Sequence, residues 1–453
     1  MTASRKRLLG SLLVAASAVG CADWLSGPTL TEDPNNPSRA TPSQLLVAAE
    51  ASLGTQFEGL LARIASIWTQ QLAGVERQHF AYGIYNIDES FASPEFTRVY
   101  IGGGLVDLRL IQSLTEASGD SVFSGVAKVL EALVIGTAAD IWGDIPYAEA
   151  ASDVATPRLD PQQQVYAGVH AKLDTAIVYL AKSGGNNAGP GSTDLIYGGD
   201  AALWLEAAHT LKARFHLHLA EREPARYAQA LAEAQLGISS PASDFRTFHS
   251  ISGTEHNIWY QFLVVQRTGD VAAGRFLVEL LQSRSDPRLA QYFAQNASGG
   301  YGGSDPGEGS TADLSHVSAT RAAPDFRQPL VTWAETRLIV AETQNRAGDD
   351  VAALGALNVV RADAGLAPLA GVTGAALLDS ILVEKYVVLF QNIEAWATYQ
   401  RTCVPRITPA APAVAVPGRI YYGFDERNTN PNIPEPGVAP NTEGPNWNDP
   451  NPC

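Results

Sequence analysis

The sequence predicts a mostly α-helical chain: a superhelix of degenerate tetratricopeptide-like helix pairs, with an irregular, loop-rich region packed on it. Three observations carry this. Apolar residues recur at three- and four-residue spacing over most of the chain, as helices packed along one face require. Two stretches, 201–236 and 331–364, have the length of one helix-turn-helix repeat near 34 residues. Between them, and again at the C-terminus, periodicity gives way to glycine, proline and asparagine.

Taken in order, residues 1–20 read as a secretory signal peptide. Arg5, Lys6 and Arg7 form its basic segment and Leu8 to Val19 its short apolar one. Gly20-Cys21 closes it as a lipobox, with Ala18 at the position usually held by leucine. Cys21 is therefore the expected lipidation site: acylated with more than one chain, it anchors the protein to a membrane. No later stretch reads as membrane-spanning. Removing the three basic residues takes the formal charge from −16 to −19. With no basic stripe, nucleic acid is excluded as a partner. Two cysteines remain in an oxidising compartment, Cys403 and Cys453, and a disulfide between them is expected, two unpaired thiols being the alternative.

Residues 21–41 form a linker rich in turn formers, and 42–453 a single domain. Thr41 and Pro42 are placed as N-cap and first residue of a helix carrying Leu45, Leu46, Ala49, Leu53 and Phe57. The scaffold is expected at about 98–236 and 330–400. Its helices are predicted at about 97–116, 122–142, from Asp160-Pro161 through Leu180, 200–221, 224–236, 331–347, 350–364 and 374–394. The run 127–139 is apolar almost all round, as a helix inside a bundle is. The loop-rich region covers about 68–97 and 237–329, with a flexible loop at Gly299–Gly307, and the tail 401–453 is irregular.

Several motifs resemble the SusD/RagB family of nutrient-binding outer-membrane lipoproteins. Gly143-Asp144-Ile145-Pro146-Tyr147-Ala148-Glu149-Ala150 is similar to its "GD(I/V)PY-EA" segment. Trp204 through Leu211-Lys212-Ala213-Arg214 is similar to its "W…AN-LK-R" helix, with His209 in place of asparagine. Ala341-Glu342-Thr343 with Leu357-Asn358-Val359-Val360-Arg361, then Glu384-Lys385, Glu394-Ala395-Trp396 and Arg401-Thr402, follow the family's order. Cys403 stands where the family carries glycine, and Asn430-Pro431-Asn432 resembles its closing strand. The resemblance implies a binding protein without cofactor that captures a glycan or other polymer. It would then hand the ligand to a SusC-like TonB-dependent transporter at the cell surface of the outer membrane.

By their residue types these motifs read as structure. Trp142, Tyr147 and Trp396 flank apolar helix faces, and Glu394 beside Arg401, or Glu384 beside Lys385, suits ion pairing. No Gly-x-Ser-x-Gly elbow, His-Glu-x-x-His helix or Walker loop occurs, so no catalytic residue is assigned. His216 and His218, two apart on a helix, face different ways and share no metal. No metal site is assigned, the loop charges Asp305, Glu308 and Asp313 being weighed against calcium as solvated. The ligand-binding candidates are the aromatics of the irregular segments, whose flat rings suit sugar faces: Trp68, Phe80, Tyr82, Tyr85, Trp259, Tyr260 and Tyr301. Weight falls on Trp259 and Tyr301. The rival readings are a secreted glycoside hydrolase and an envelope adaptor that binds only protein.

Overall fold

The computed structural model describes residues 40–436, 446–449 and 453; Cys21 and most of the linker lie outside them. The first helix, α1 (Pro42–Glu58), starts on a capping box. The Thr41 hydroxyl accepts from the Gln44 amide at 3.3 Å, and the Gln44 side chain accepts from the Thr41 amide at 2.9 Å. Next come α2 (Leu60–Trp68), strand β1 (Leu72–Gly74), α3 (Arg77–Gly83), α4 (Ser93–Tyr100), α5 (Leu105–Ser118) and α6 (Ser121–Trp142). Beyond lie α7 (Gln162–Leu180), α8 (Ala201–Ala220) and α9 (Arg226–Ala234). The irregular region holds β2 (Phe245–Arg246), a π-helix at Gln261–Gln266, β3 (Val271–Ala273), α10 (Arg275–Ser283), α11 (Arg288–Tyr292) and β4 (Pro329–Val331). The chain ends with α12 (Trp333–Arg346), α13 (Asp350–Asp363), α14 (Gly374–Val388), α15 (Glu394–Thr402) and α16 (Phe424–Thr429).

The repeats are the pairs α6/α7, α8/α9 and α12/α13. Their first helices pack in a row, α6 on α8 on α12, which α14 extends. Both units expected from the sequence are present. Close packing is set by small residues: a Cβ on Gly136 of α6 would lie 2.2 Å from Cζ of Phe215 on α8, so only glycine fits there. Helix α6 is long and apolar enough by composition to cross a bilayer, contrary to the sequence expectation, but 94% of its apolar window is buried inside the fold. The irregular region hangs on two short antiparallel pairings, β1 with β3 (Leu72 opposite Ala273) and β2 with β4 (Phe245 opposite Val331).

Three helix expectations are corrected. The stretch 97–116 is two helices, broken where Gly102 and Gly103 take positive φ and Gly103 presses against α1. The stretch 374–394 breaks after Val388. Gln71, 315 residues away in sequence, donates from Nε2 to the carbonyls of Tyr386 and Leu389, while its Oε1 accepts from the Gln391 amide. Residues 77–83, read as irregular, form α3.

The motifs supply the charges of buried ion clusters. Glu394 lies 3.0 Å from His218 Nε2, 3.6 Å from Arg214 Nε and 3.7 Å from Lys385 Nζ. His218 Nδ1 is 3.0 Å from Asp140, Arg214 forks onto Glu335, and Arg401 onto Glu342 at 2.6 and 2.8 Å. Glu384 pairs with Arg284 and Arg288. So the sequence neighbours Glu394/Arg401 and Glu384/Lys385 do not pair with each other. Each reaches instead across to another element, fastening α6, α8, α12, α14 and α15 together. His216, as its spacing required, points elsewhere and stacks on His170, ring centroids 4.0 Å apart.

These clusters give stability a pH dependence. Burial alone would push His218 down, but the carboxylates of Asp140 and Glu394 hold it up at about 9. A folded pKa above the unfolded one means stability that is complete below about pH 6.5 and lost as pH rises toward 9, on the order of 3 kcal/mol. Burial pushes His216 down to about 4 and His170 to about 2, so their contribution is complete above about pH 6.5 and lost as pH falls. The contribution of these three histidines to stability in denaturant should therefore peak near pH 6.5. His218→Gln should flatten the alkaline limb and leave the acid limb in place; an unchanged alkaline limb would refute the assignment.

Candidate ligand-binding site

The aromatic candidates divide by burial. Trp68 is buried, its Nε1 donating to the Tyr82 carbonyl at 2.9 Å and its ring edge-on to Tyr85 and Trp396. Tyr85 is buried, its hydroxyl accepting from the Ala410 amide at 3.1 Å. Trp259, one of the two favoured candidates, is fully buried and offers no free ring face. Phe80, Tyr82, Tyr260 and Tyr301 are half-buried. Tyr82 packs edge-on against Phe91, and Tyr260 against His256. The seven rings do not assemble into one platform; most fix irregular backbone to the scaffold.

What the region does form is a cleft of about 570 Å³. Arg275, Phe276 and Glu279 of α10 make one wall, Asp305 and Pro306 the second, and the tail from Arg406 to Ala411 the third, with Gln70 at the base. Gln70 holds a left-handed φ of 57° and donates from Nε2 to the Thr408 carbonyl, so it ties the tail to the end of α2. Behind the tail, Tyr85 grips Ala410 and Trp68 backs Tyr85. Two of the buried candidates thus support the cleft from beneath.

Its electrostatics are partly spent. Arg275 Nε lies 2.7 Å from Asp305 and Nη2 2.6 Å from Glu308. Hydrogen bonds from the Asp305 amide and from Arg275 hold Glu308 below the usual carboxylate range. A guanidinium therefore supplies the positive charge that calcium would have brought to these loop acids. Exposed Arg406 and Glu279, and half-buried Phe276, face the cleft without an ion pair among the described residues.

The centre of the glycine-rich loop approaches neighbouring backbone closely. Ser304 donates to the Ala273 carbonyl and accepts from the Arg275 amide, both at 3.0 Å. A Cβ on Gly303 would meet the Arg275 backbone at 2.5 Å, and one on Gly302 the Asp313 carbonyl at 2.2 Å. Here glycine permits close approach. Tyr301 opens the segment whose Asp305 lines the cleft, and Gln282 donates to its carbonyl at 3.3 Å.

Sequence reasoning did not single out Gln70, Arg275, Phe276, Glu279, Arg406 or Thr408 for this role. They come from three segments, with 338 positions between Gln70 and Thr408. No local pattern marks such a site; the one available signal was the break in periodicity that all three segments share.

No curated protein sequence matches the chain. Among solved structures, the fold is similar to a SusD-like protein from Bacteroides thetaiotaomicron, at 20% identity and TM-score 0.74 over 90% of this chain and 97% of that one. It is also similar to a chitin-binding protein (22%, TM-score 0.72, 86% and 94%) and to a chitin-binding SusD homolog from Flavobacterium johnsoniae (18%, 0.67, 89% and 97%). At these identities the likeness establishes the fold, a helical one containing tetratricopeptide repeats. The sequence itself matches the SusD-like family model, described as starch-binding and associating with the outer membrane, over residues 34–353. That span, most of the chain, together with the helix row and its ion clusters, places this protein in the SusD-like family of outer-membrane-associated nutrient-binding proteins.

Proposed function

We propose that the chain is a lipid-anchored glycan-binding protein of the outer membrane surface. It captures an oligosaccharide in the cleft between α10 and the tail and passes it to a SusC-like TonB-dependent transporter. The single observation behind this reading is the cleft itself. It sets one flat ring, Phe276, among an amide, a hydroxyl and opposite charges, the mixture that recognises a polyhydroxylated chain. The starch-binding description of the family and the chitin-binding neighbours favour a glycan. Anchoring rests on Cys21, and Cys21→Ala should escape labelling by a fatty-acid analogue. Asp305 pairs with Arg275, which leaves Glu279 as the unpaired carboxylate among the described cleft residues and favours binding over hydrolysis.

Titration of the mature protein with starch and chitin oligosaccharides tests the site. Phe276→Ala, Arg406→Ala and Tyr301→Ala should each weaken binding by about 1–3 kcal/mol. Arg406 is exposed, so its replacement should leave melting unchanged. Undiminished binding in all three would remove the cleft from consideration, and release of shorter products would favour the hydrolase. Co-purification of a TonB-dependent receptor with wild-type protein from outer membranes is the expected result for the transporter step.

A further inference from the structure

Arg63 of α2 carries a guanidinium without a counter-ion. It is half-buried and lies over the Phe262 ring, Cζ 4.2 Å from the centroid. Its Nε is buried and has no hydrogen-bond partner; the two Nη groups have none among the described residues either, but they keep accessible surface. The acids around it are already taken. Glu95, whose charge bears on Arg63, pairs with Arg98 at 3.3 Å, and Asp270 pairs with Arg77 and, at 3.3 Å, with His79 Nδ1. A second cation stands nearby. Arg267 follows the π-helix, donates its amide to the Phe262 carbonyl at 2.9 Å, and has an exposed side chain with no ion pair among the described residues. In a chain whose formal charge is −16, two unanswered guanidinium groups around one ring are a local exception.

The surroundings are aromatic. Phe262 sits on the π-helix Gln261–Gln266, a form that recurs at functional sites. His79 packs against both Phe262 and Tyr82, ring centroids 4.7 and 5.5 Å apart, and Tyr82 against Phe91 at 4.7 Å. Tyr82, a candidate from the sequence that the cleft does not use, is half-buried, and nothing among the described residues hydrogen-bonds its hydroxyl. Both arginines act on His79. Burial first, then the Arg63 charge and more weakly that of Arg267, hold its imidazole down to about 4 against the pull of Asp270. Burial also lowers Arg63, to about 10, so at neutral pH the guanidinium keeps its charge. A partly buried charge held without a partner costs free energy, and an incoming oxyanion removes that cost.

We propose that Arg63, with Arg267 and Tyr82, forms a subsite for an oxyanion carried on a sugar, a carboxylate or a sulfate ester. The open Nη groups of Arg63 present a fork that two oxygens of either anion accept together. Phe262 fixes the plane of that fork, so little side-chain freedom is left to lose on binding. Arg267 adds charge from the exposed side, and the Tyr82 hydroxyl adds a neutral donor. A sugar hydroxyl alone would leave the guanidinium uncompensated, and an ammonium would be repelled. The half-buried ring of Tyr82 gives the sugar carrying the anion an apolar face to rest on. The choice of a sugar as carrier rests on the glycan reading, while the unanswered charge of Arg63 does not depend on it. The subsite shares no residue with the cleft, so it would select acidic glycans rather than hold the neutral part of the chain.

The test titrates the full mature chain at low salt with methyl glucuronide, glucose sulfate and, as the neutral control, methyl glucoside. Wild type should bind at least one acidic probe about tenfold more tightly than the control, and added salt should narrow that margin. Which acidic probe gains more tells carboxylate from sulfate. Arg63→Gln should erase the margin without lowering the melting temperature, since it deletes a charge that has no partner. Tyr82→Phe, which removes only the hydroxyl, should weaken the acidic probe about threefold. Arg267→Ala, at an exposed position, should do the same and serves where the Arg63 replacement fails to fold. Equal binding of all three probes by wild type, or an undiminished margin in the variants, would overturn the subsite. Tighter binding of a tetraglutamate peptide than of either acidic sugar would overturn the choice of a glycan as carrier. Starch or chitin oligosaccharides bound without any preference for acidic probes would leave the cleft standing and remove only this inference. Acidic probes bound by a protein that ignores those neutral oligosaccharides would keep the subsite and remove the cleft.

Discussion

Glu394→Ala should destabilise the protein by about 3–5 kcal/mol, more than any surface substitution. Glu394 is the carboxylate shared by His218, Arg214 and Lys385, all of them buried. Its removal leaves three cationic groups against two remaining acceptors, Asp140 and Glu335, in a region closed to water. Arg214 keeps its fork on Glu335 and His218 its contact with Asp140. The side chain most exposed to the loss is Lys385, whose Nζ has, among the described residues, no hydrogen bond and only Glu394 within ion-pair distance. The double variant Glu394→Ala, Lys385→Met should recover part of the stability, since an unpaired buried ammonium costs more than a methionine of similar shape. Denaturant midpoints measure both. Equal midpoints for wild type and Glu394→Ala would show that the network contributes nothing.

Loss of the disulfide should cost a comparable amount. Cys403 and Cys453 are bonded, Cα atoms 5.3 Å apart and 50 positions apart in sequence. Closing a loop of that length constrains the unfolded chain by about 4 kcal/mol in the chain-entropy model. In the folded state the bond holds a tail that packs through specific contacts. Asn446 donates to the Asp140 carbonyl at 2.6 Å, the Trp447 carbonyl accepts from Arg222, and the Asn448 amide donates to Gln162 Oε1 at 3.0 Å. Cys453→Ser should lower stability by roughly that figure, and adding Cys403→Ser should change little more, because one bond is lost either way. Cys403→Gly should be milder by up to about 1 kcal/mol: position 403 has a φ of 53°, a left-handed conformation that glycine adopts without a Cβ clash. That conformation also explains why the family pattern carries glycine there. Free alkylation of both thiols in the native, non-reduced protein would contradict the bond.

Much of the scaffold was legible because its signals are local. Thr41 with Gln44, Gly143 at a φ of 79° after α6, and Gly348 and Gly365 around α13 mark helix ends within a few residues of chain. The apolar spacing of 201–236 and 331–364 gave two repeats, because each helix must bury a stripe against its sequence neighbour. The ordered motifs likewise gave the family, which the match over residues 34–353 establishes.

What the sequence could not give is set by distance along the chain. The break after Val388 depends on Gln71, a side chain no window around 388 contains. Glu394 and Arg401 lie on one face of α15 but two turns apart, about 10 Å along the axis, so each pairs with a residue of another helix, His218 and Glu342. The binding candidates could not be ranked from the sequence for a related reason. Aromatic residues in irregular segments signal that backbone needs fastening as readily as that a ligand needs a platform. Only burial, which puts Trp259 in the core and leaves Phe276 beside the cleft, separates the two. The sequence alone determined two of the three helical repeats, their order and the family. The tertiary structure alone decided which charges meet and which segments line a cleft, because both depend on contacts between residues hundreds of positions apart.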